Sequence, residues 1–292
     1  MYELIKLTEK SYYINCPSRM GLYRINDQEV CLIDSGNDKE AGKKVRQILE
    51  KNGWRLSAIY NTHSNADHIG ANKYLSAQTG CRIYAPGIEC DFTRHPILEP
   101  AFLYGGYPFS ELRCKFLLAE ASEAQYLTEE ALPDGLKMID LRGHFFDMVG
   151  FSTDDGVVYL ADCLSSKETL DKYGICFIYD VKAYLETLEK VLATEGKIFV
   201  PAHAEPCESV EEIVNYNIQK VEEIIATILK LCDTPRTFEE LLKNLFDHYS
   251  LIMNYQQYAL VGSTVRSYLS YLKDTGRING YVESNRLLWK TI

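Results

Sequence analysis

Apolar positions recur with two periods along this chain, and the changes of period mark its elements. Residues 12–16, 21–25 and 29–34 read as strands, separated by turn residues at Pro17 and at Asn26-Asp27. Lys39–Asn52 switches to helical spacing and stops at Gly53. A buried strand is predicted at 56–60, a helix at 69–78 ended by Gly80, and another strand at 81–85. Residues 86–118 show neither period and read as a long aromatic loop, of the kind that serves as a lid, a binding loop or a subunit contact.

Two hairpins are then predicted. The first pairs 126–132 with 136–141 around Pro133-Asp134-Gly135, and the second pairs 148–153 with 157–161 around Asp154-Asp155-Gly156. A helix at 184–194, a strand at 197–200 and a long helix at 210–231 follow, the last with Ile213, Val214, Ile218, Val221, Ile224, Ile225 and Ile228 near helical spacing. This mixture fits two packed sheets flanked by helices. Cys232-Asp233-Thr234-Pro235 breaks the pattern, dividing the chain into domains at 1–231 and 232–292. The second part reads as helices at 238–246, 255–260 and 263–273 and two strands, Ile278–Glu283 and 286–289, a winged-helix pattern.

A length of 292 residues agrees with two domains, and 46% hydrophobic residues suffice for a core. The net charge of −10 argues against binding nucleic acid or anionic membrane over the whole surface. Within 232–292, seven Lys/Arg stand against six Asp/Glu, so Arg266, Lys273, Arg277, Arg286 and Lys290 make a thin basic stripe for a nucleic-acid reader. Packing or dimerisation is the simpler role for this part. Nine scattered cysteines without a Cys-x-x-Cys pair, and a start that does not read as a signal peptide, lead to the expectation of a reducing, cytoplasmic setting. No run reaches the ~20 apolar residues of a membrane helix.

Chemistry concentrates in Thr62-His63-Ser64-Asn65-Ala66-Asp67-His68, between a strand and a helix. Imidazole and carboxylate together are ligands for zinc, iron or manganese. Four more candidates sit at strand ends: Asp34 in Asp34-Ser35-Gly36, His144, Asp162 and His203. Asp34 could close an Asx turn or orient a metal-binding imidazole from behind. His95, alone beside Pro96, reads as a surface histidine. Cys163 and Cys207 follow candidate ligands closely and read as ordinary thiols.

The set resembles the metallo-β-lactamase superfamily, whose motif His-x-His-x-Asp-His is followed by single His, Asp and His ligands. Matching positions are His63, Asp67, His68, His144 in Gly-His, Asp162 in Leu-Ala-Asp and His203 in Pro-Ala-His, over about residues 10 to 230. The resemblance implies an α+β fold, a four-layer αβ/βα sandwich. It also implies a first metal site at His63 and His144, a second at Asp67, His68 and His203, and Asp162 bridging the two. Asn65 stands where the family has its second histidine. An amide oxygen is a weaker donor than imidazole, so uneven filling is expected, with one or two metals, zinc first and iron or manganese as alternatives.

The function implied is hydrolysis of a small ester or thioester by metal-activated water, with Asp67 as ligand and proton acceptor. One alternative is a nuclease for RNA or single-stranded nucleic acid, because the C-terminal module is similar to that of a branch containing a mitochondrial-type endoribonuclease. Another is a metal-binding or sensing protein without turnover. The expected partner is a small molecule, with no membrane; a homodimer is compatible with the sequence.

Overall fold

The computed structural model describes residues 2–292. Seven strands form the first sheet, in chain order: β1 (Glu3–Lys6), β2 (Ser11–Asn15), β3 (Met20–Arg24), β4 (Glu29–Ile33), β5 (Arg55–Tyr60), β6 (Arg82–Ala85) and β7 (Ala124–Tyr126). β1 to β4 run antiparallel; β4 to β7 run parallel, because helical crossovers now link them. The first crossover is α1 (Lys39–Asn52), whose start is fixed by the Asp38 side chain accepting from the amides of Glu40 and Ala41. Next come α2 (Ala66–Ile69) and α3 (Asn72–Thr79), then α4 (Glu89–Arg94) and α5 (Leu98–Tyr104).

The second sheet has the order β11-β10-β9-β8, from β8 (Leu136–Asp140), β9 (Val149–Thr153), β10 (Val157–Ser165) and β11 (Ile198–His203). α6 (Lys167–Tyr173) and α7 (Val181–Leu192) join β10 to β11, and α8 (Glu211–Leu231) follows. Alternation along the strands builds the layers. Tyr13, Tyr23, Cys31 and Ile33 face inward against Val149, Phe151, Val157 and Tyr159 of the other sheet. Their neighbours Ile14, Leu22 and Leu32 face outward onto Val45, Leu49 and Leu75 of α1 and α3. Outside the second sheet, α7 and α8 cover Val158 and Leu160. The result is the four-layer αβ/βα sandwich.

The chain ends in α9 (Phe238–His248), α10 (Tyr255–Asp274) and a hairpin of β12 (Ile278–Glu283) and β13 (Arg286–Thr291), turned by Ser284 and Asn285, both at positive φ. α9 begins with a capping box between Thr237 and Glu240. Leu241, Leu245, Val265 and Leu269 belong to the same buried cluster as Val221 and Ile225 of α8, so the apolar core is continuous across Cys232.

Several expectations from the pattern are corrected. Residues 86–118 contain α4, α5 and a 3-10 turn at Ser110–Leu112; the segment's aromatic density reflects packing, since Phe92 and Phe102 stack around Phe145 and Phe146. The first predicted hairpin does not form. β7 ends the first sheet, and Pro133-Asp134-Gly135 lies on the passage to β8 in the second, so the turn residues mark a change of sheet. The helix predicted at 69–78 begins earlier and breaks at Gly70-Ala71, which places Asp67 and His68 inside α2. The two helices predicted at 255–260 and 263–273 are one, running through Gly262, which packing tolerates at about 1 kcal/mol relative to alanine.

Candidate metal centre

The donors come from the turn after β5 and the short α2 it leads into, from a kink within β10, from the turn after β8 and from the end of β11. β5 stops at Tyr60 and the chain turns through Thr62-His63-Ser64-Asn65 into α2. Opposite, β10 kinks where Ala161 takes a φ of +50°, with register shifts against β11 on either side. A non-glycine residue in that conformation carries strain, and here the kink turns Asp162 towards the motif. Gly143, at φ +125°, precedes His144; a Cβ there would stand 2.3 Å from the Tyr184 backbone, so only glycine lets the turn sit against α7. His203 ends β11.

These elements bring His63, Asp67, His68, His144, Asp162 and His203 together in two groups: His63, His144 and Asp162, and Asp67, His68 and His203. Within the first, His63 Nε2 and His144 Nε2 lie 4.0 and 3.7 Å from Asp162 Oδ2. In the second, Asp67 Oδ2 lies 3.7 Å from His68 Nε2 and 3.3 Å from His203 Nε2. Asp162 touches both, with Oδ1 3.1 Å from His68 Nε2 and Oδ2 3.1 Å from His203 Nε2. Tetrahedral coordination at bonds of about 2.0–2.2 Å separates neighbouring donors by about 3.3–3.6 Å, the scale seen here.

The ring protons are placed by hydrogen bonds on the far side of the rings. Asp34, buried and held at φ +62°, accepts through Oδ1 from the Thr62 amide at 2.8 Å and through Oδ2 from Thr62 Oγ1 at 2.8 Å and His68 Nδ1 at 2.8 Å. The Thr62 hydroxyl thus donates to Asp34, and its oxygen, 2.9 Å from His63 Nδ1, accepts that ring's proton. One carboxylate therefore turns both Nε2 lone pairs inward. The His63 Nε2 atom is buried without a hydrogen-bond partner, and so are His68 Nε2 and Asp162 Oδ1, which lie 3.1 Å apart but are not aligned for a hydrogen bond. Native proteins rarely leave such atoms orphaned, and a divalent cation would satisfy all three.

The electrostatics agree. Burial pulls His63 well below the usual histidine range, and also lowers His144. At His68 and His203 burial acts the same way, but Asp162 and Asp67 outweigh it: His68 rises well above its ordinary value and His203 to about 10. At Asp67 and Asp162 burial would raise the carboxyls, and the facing histidines drive both far down instead. Protons on these rings do what a cation would do between the same carboxylates.

The family model for the metallo-beta-lactamase superfamily matches residues 14–203. The chain belongs to that superfamily. Hydroxyacylglutathione hydrolase of Methylococcus capsulatus is 30% identical over 128 residues, 44% of this chain and 41% of that protein. The chain thus spans about two fifths of the length of that curated relative. A metallo-beta-lactamase family protein from Thermus thermophilus superposes with a TM-score of 0.72 at 15% identity, over 100% of this chain and 98% of that one. A beta-lactamase domain protein from Burkholderia ambifaria gives 0.75 at 15% identity, over 99% and 94%. At that identity the likeness is one of fold, and it takes in the C-terminal helices and hairpin.

Around these candidate donors the chain places groups its sequence pattern did not reveal. Ser18 Oγ donates to Asp67 Oδ2 at 2.5 Å. Glu89, fully buried on α4, accepts from the Ser64 amide at 3.1 Å, from Ser64 Oγ at 2.5 Å and from the Asp147 amide at 2.9 Å, and burial pushes its carboxyl up to about 7. Glu99 on α5 is 5% exposed and accepts from Asn65 Nδ2 at 2.9 Å; burial, with Asp67 nearby, raises it well above the carboxylate range. Nothing in the residue order marks either acid, because their burial arises only when α4 and α5 fold over the motif. His95 caps α4 at the surface and joins neither group. Cys163 is buried in the core outside the second sheet, and Cys207 lines a cleft beside His203.

A cavity of about 470 Å³ opens onto Asn65, Asp67, His144, Asp162 and His203. Its walls combine Leu103, Phe116, Leu117, Ile175, Phe177 and, from α10, Leu260 with Val261, with Glu99, Ser165, Thr169, Tyr173, Cys176 and Gln257. A cleft of about 910 Å³ between α5, α7 and α10 reaches none of the donor residues.

Proposed function

We propose that this chain is a metal-dependent hydrolase of small carboxylic esters or thioesters with an apolar acyl group. The observation that carries the reading is the cavity: Asp67, His144, Asp162 and His203 from the two clusters of candidate metal donors line it, beside many apolar residues and no Lys or Arg among the described residues. The cavity wall itself offers a phosphodiester no Lys or Arg, whereas Arg19 and Lys167 line a separate cleft that also reaches His203. Arg266, the basic residue nearest the cavity mouth along α10, lies over the Phe238 ring at 3.8 Å and lines the separate cleft. The relative named hydroxyacylglutathione hydrolase supports acyl transfer to water and, from its name, a thioester.

His63, His144 and Asp162 would hold one metal ion and Asp67, His68 and His203 another, with Asp162 between them; zinc suits the imidazole–carboxylate set best. When bound, such a metal lowers the pKa of water from about 15.7 towards about 7 and stabilises oxyanion charge. Asp67 orients the attacking water and accepts its proton, and Ser18, donating to Oδ2, keeps that carboxylate from turning away. Leu103, Phe116, Phe177 and Leu260 surround the acyl group and exclude bulk water, so the carbonyl carbon presents to the floor. All nine cysteines are free thiols, which supports a reducing, cytoplasmic setting. No described helix is long and apolar enough to cross a membrane.

The test is turnover by zinc-reconstituted protein on thioesters and aryl esters of increasing acyl length, beside RNA and phosphodiester controls. Expected is hydrolysis that improves with apolar acyl length and disappears in Asp162→Asn. Cleavage of RNA with no ester turnover would overturn the reading.

A further inference from the structure

Asn65 occupies the position where the superfamily's pattern has an imidazole, and an amide can fill it in only one of two orientations. The oxygen can ligate a cation; the NH2 group cannot. Two contacts decide the matter in this structure. Asn65 Nδ2 donates to Glu99 Oε1 at 2.9 Å, an acceptor on α5 that is 5% exposed. The other end, Oδ1, stands 3.1 Å from His144 Nε2. His144 Nδ1 lies 3.1 Å from the Phe177 carbonyl oxygen, which can only accept, so that ring's proton is on Nδ1 and Nε2 presents a lone pair. Two lone pairs 3.1 Å apart are the arrangement of two donors to one cation.

We propose that Asn65 Oδ1 completes the first metal site and that Glu99 is the positioning residue that sets the amide's orientation. The inference rests on the metal-centre reading above and adds to it a donor set for that site: two imidazoles, the Asp162 carboxylate and an amide oxygen. Glu99 does for the amide what Asp34 does for His68, through a hydrogen bond on the side away from the metal. A carboxyl group on the NH2 also draws electron density towards Oδ1, which strengthens a donor that is weak alone. Burying a carboxyl beside Leu103 and Leu117 is costly unless it is hydrogen-bonded, and the Asn65 amide supplies that bond. Replacing an imidazole by oxygen hardens the first site, which shifts its preference from zinc towards manganese relative to the second.

The experiment is titration of metal-stripped protein with Co2+, read by visible absorption and atoms bound per chain, on parent, Glu99→Leu, Asn65→His and the double variant. Expected is two ions in the parent, with first-site affinity falling about 10–100-fold in Glu99→Leu while the second site keeps its affinity. Asn65→His should restore the first site in the Glu99→Leu background, since an imidazole needs no amide to be turned. Glu99→Met serves as a second apolar replacement if Glu99→Leu does not fold. Unchanged affinities in the apolar variants, or a loss at both sites that Asn65→His does not rescue, would overturn the proposal. One ion in the parent would overturn it and leave a single-metal hydrolase standing. No ion in the parent would remove the metal-centre reading itself.

Discussion

His68 donates from Nδ1 to Asp34 Oδ2 across 2.8 Å, in the interior and out of reach of the cavity. The same oxygen takes the Thr62 hydroxyl, which in turn accepts from His63, so one carboxylate orients an imidazole in each of the two groups of candidate donors. Asp34 itself sits at φ +62°, a strained conformation for a non-glycine residue, and its carboxylate takes three hydrogen bonds there, two from Thr62 and one from His68.

Asp34→Ala should therefore weaken both sites together, by about 10–100-fold in metal affinity. Competition with a chelator, monitored at each site with Co2+, checks this. An effect confined to one site would show that the Thr62 relay to His63 carries nothing.

Glu89 makes the metal-free protein sensitive to pH. Its carboxyl titrates near 7 in the fold and near 4.5 in the unfolded chain, so the folded state binds its proton more tightly. The stabilisation is fully present below pH 4.5 and is lost as pH rises through about 7. Between those values the parent should lose more stability than Glu89→Gln, although the variant starts lower because it gives up an acceptor. Denaturant midpoints of the two metal-free proteins across that range give the difference, which separates Glu89 from histidines titrating in the same window. Parallel curves would remove Glu89 as the cause.

Leu260 comes from α10 and stands in the wall of the cavity. Leu260→Arg should lower kcat/KM for apolar acyl esters by about 10–200-fold and leave metal content unchanged, the scale of discrimination that an apolar pocket supplies. Steady-state kinetics beside elemental analysis test it. Equal kcat/KM in both proteins would place the acyl group elsewhere.

Leu245 of α9 is fully buried in the cluster that joins α8 to the C-terminal helices. Leu245→Ala should cost about 2–5 kcal/mol. Because the core runs across Cys232, the loss should shift a single unfolding transition that carries residues on both sides of that point. Two separate transitions by calorimetry, only one of them moved, would show instead that residues 232–292 unfold independently.

Much of this was legible in residue order. Short apolar runs at β2 to β5 and helical spacing in α1 and α8 are local signals, and each survived packing because the strands are buried on both faces and the helices on one. The convergence of the candidate donors was legible too, since His63, Asp67 and His68 are neighbours in sequence and His144, Asp162 and His203 each stand at the edge of a predicted strand. What the order of residues did not carry was partnership over distance. Pro133-Asp134-Gly135 has the same local chemistry whether it turns a hairpin or passes the chain between sheets, and only the pairing of β7 with β6 and β8 with β9 decides which. Nothing marks Glu89 and Glu99 until α4 and α5 close over the motif. Asn65 has two chemically different ends, and only the placement of Glu99 on one side and His144 on the other determines which end faces the metal centre.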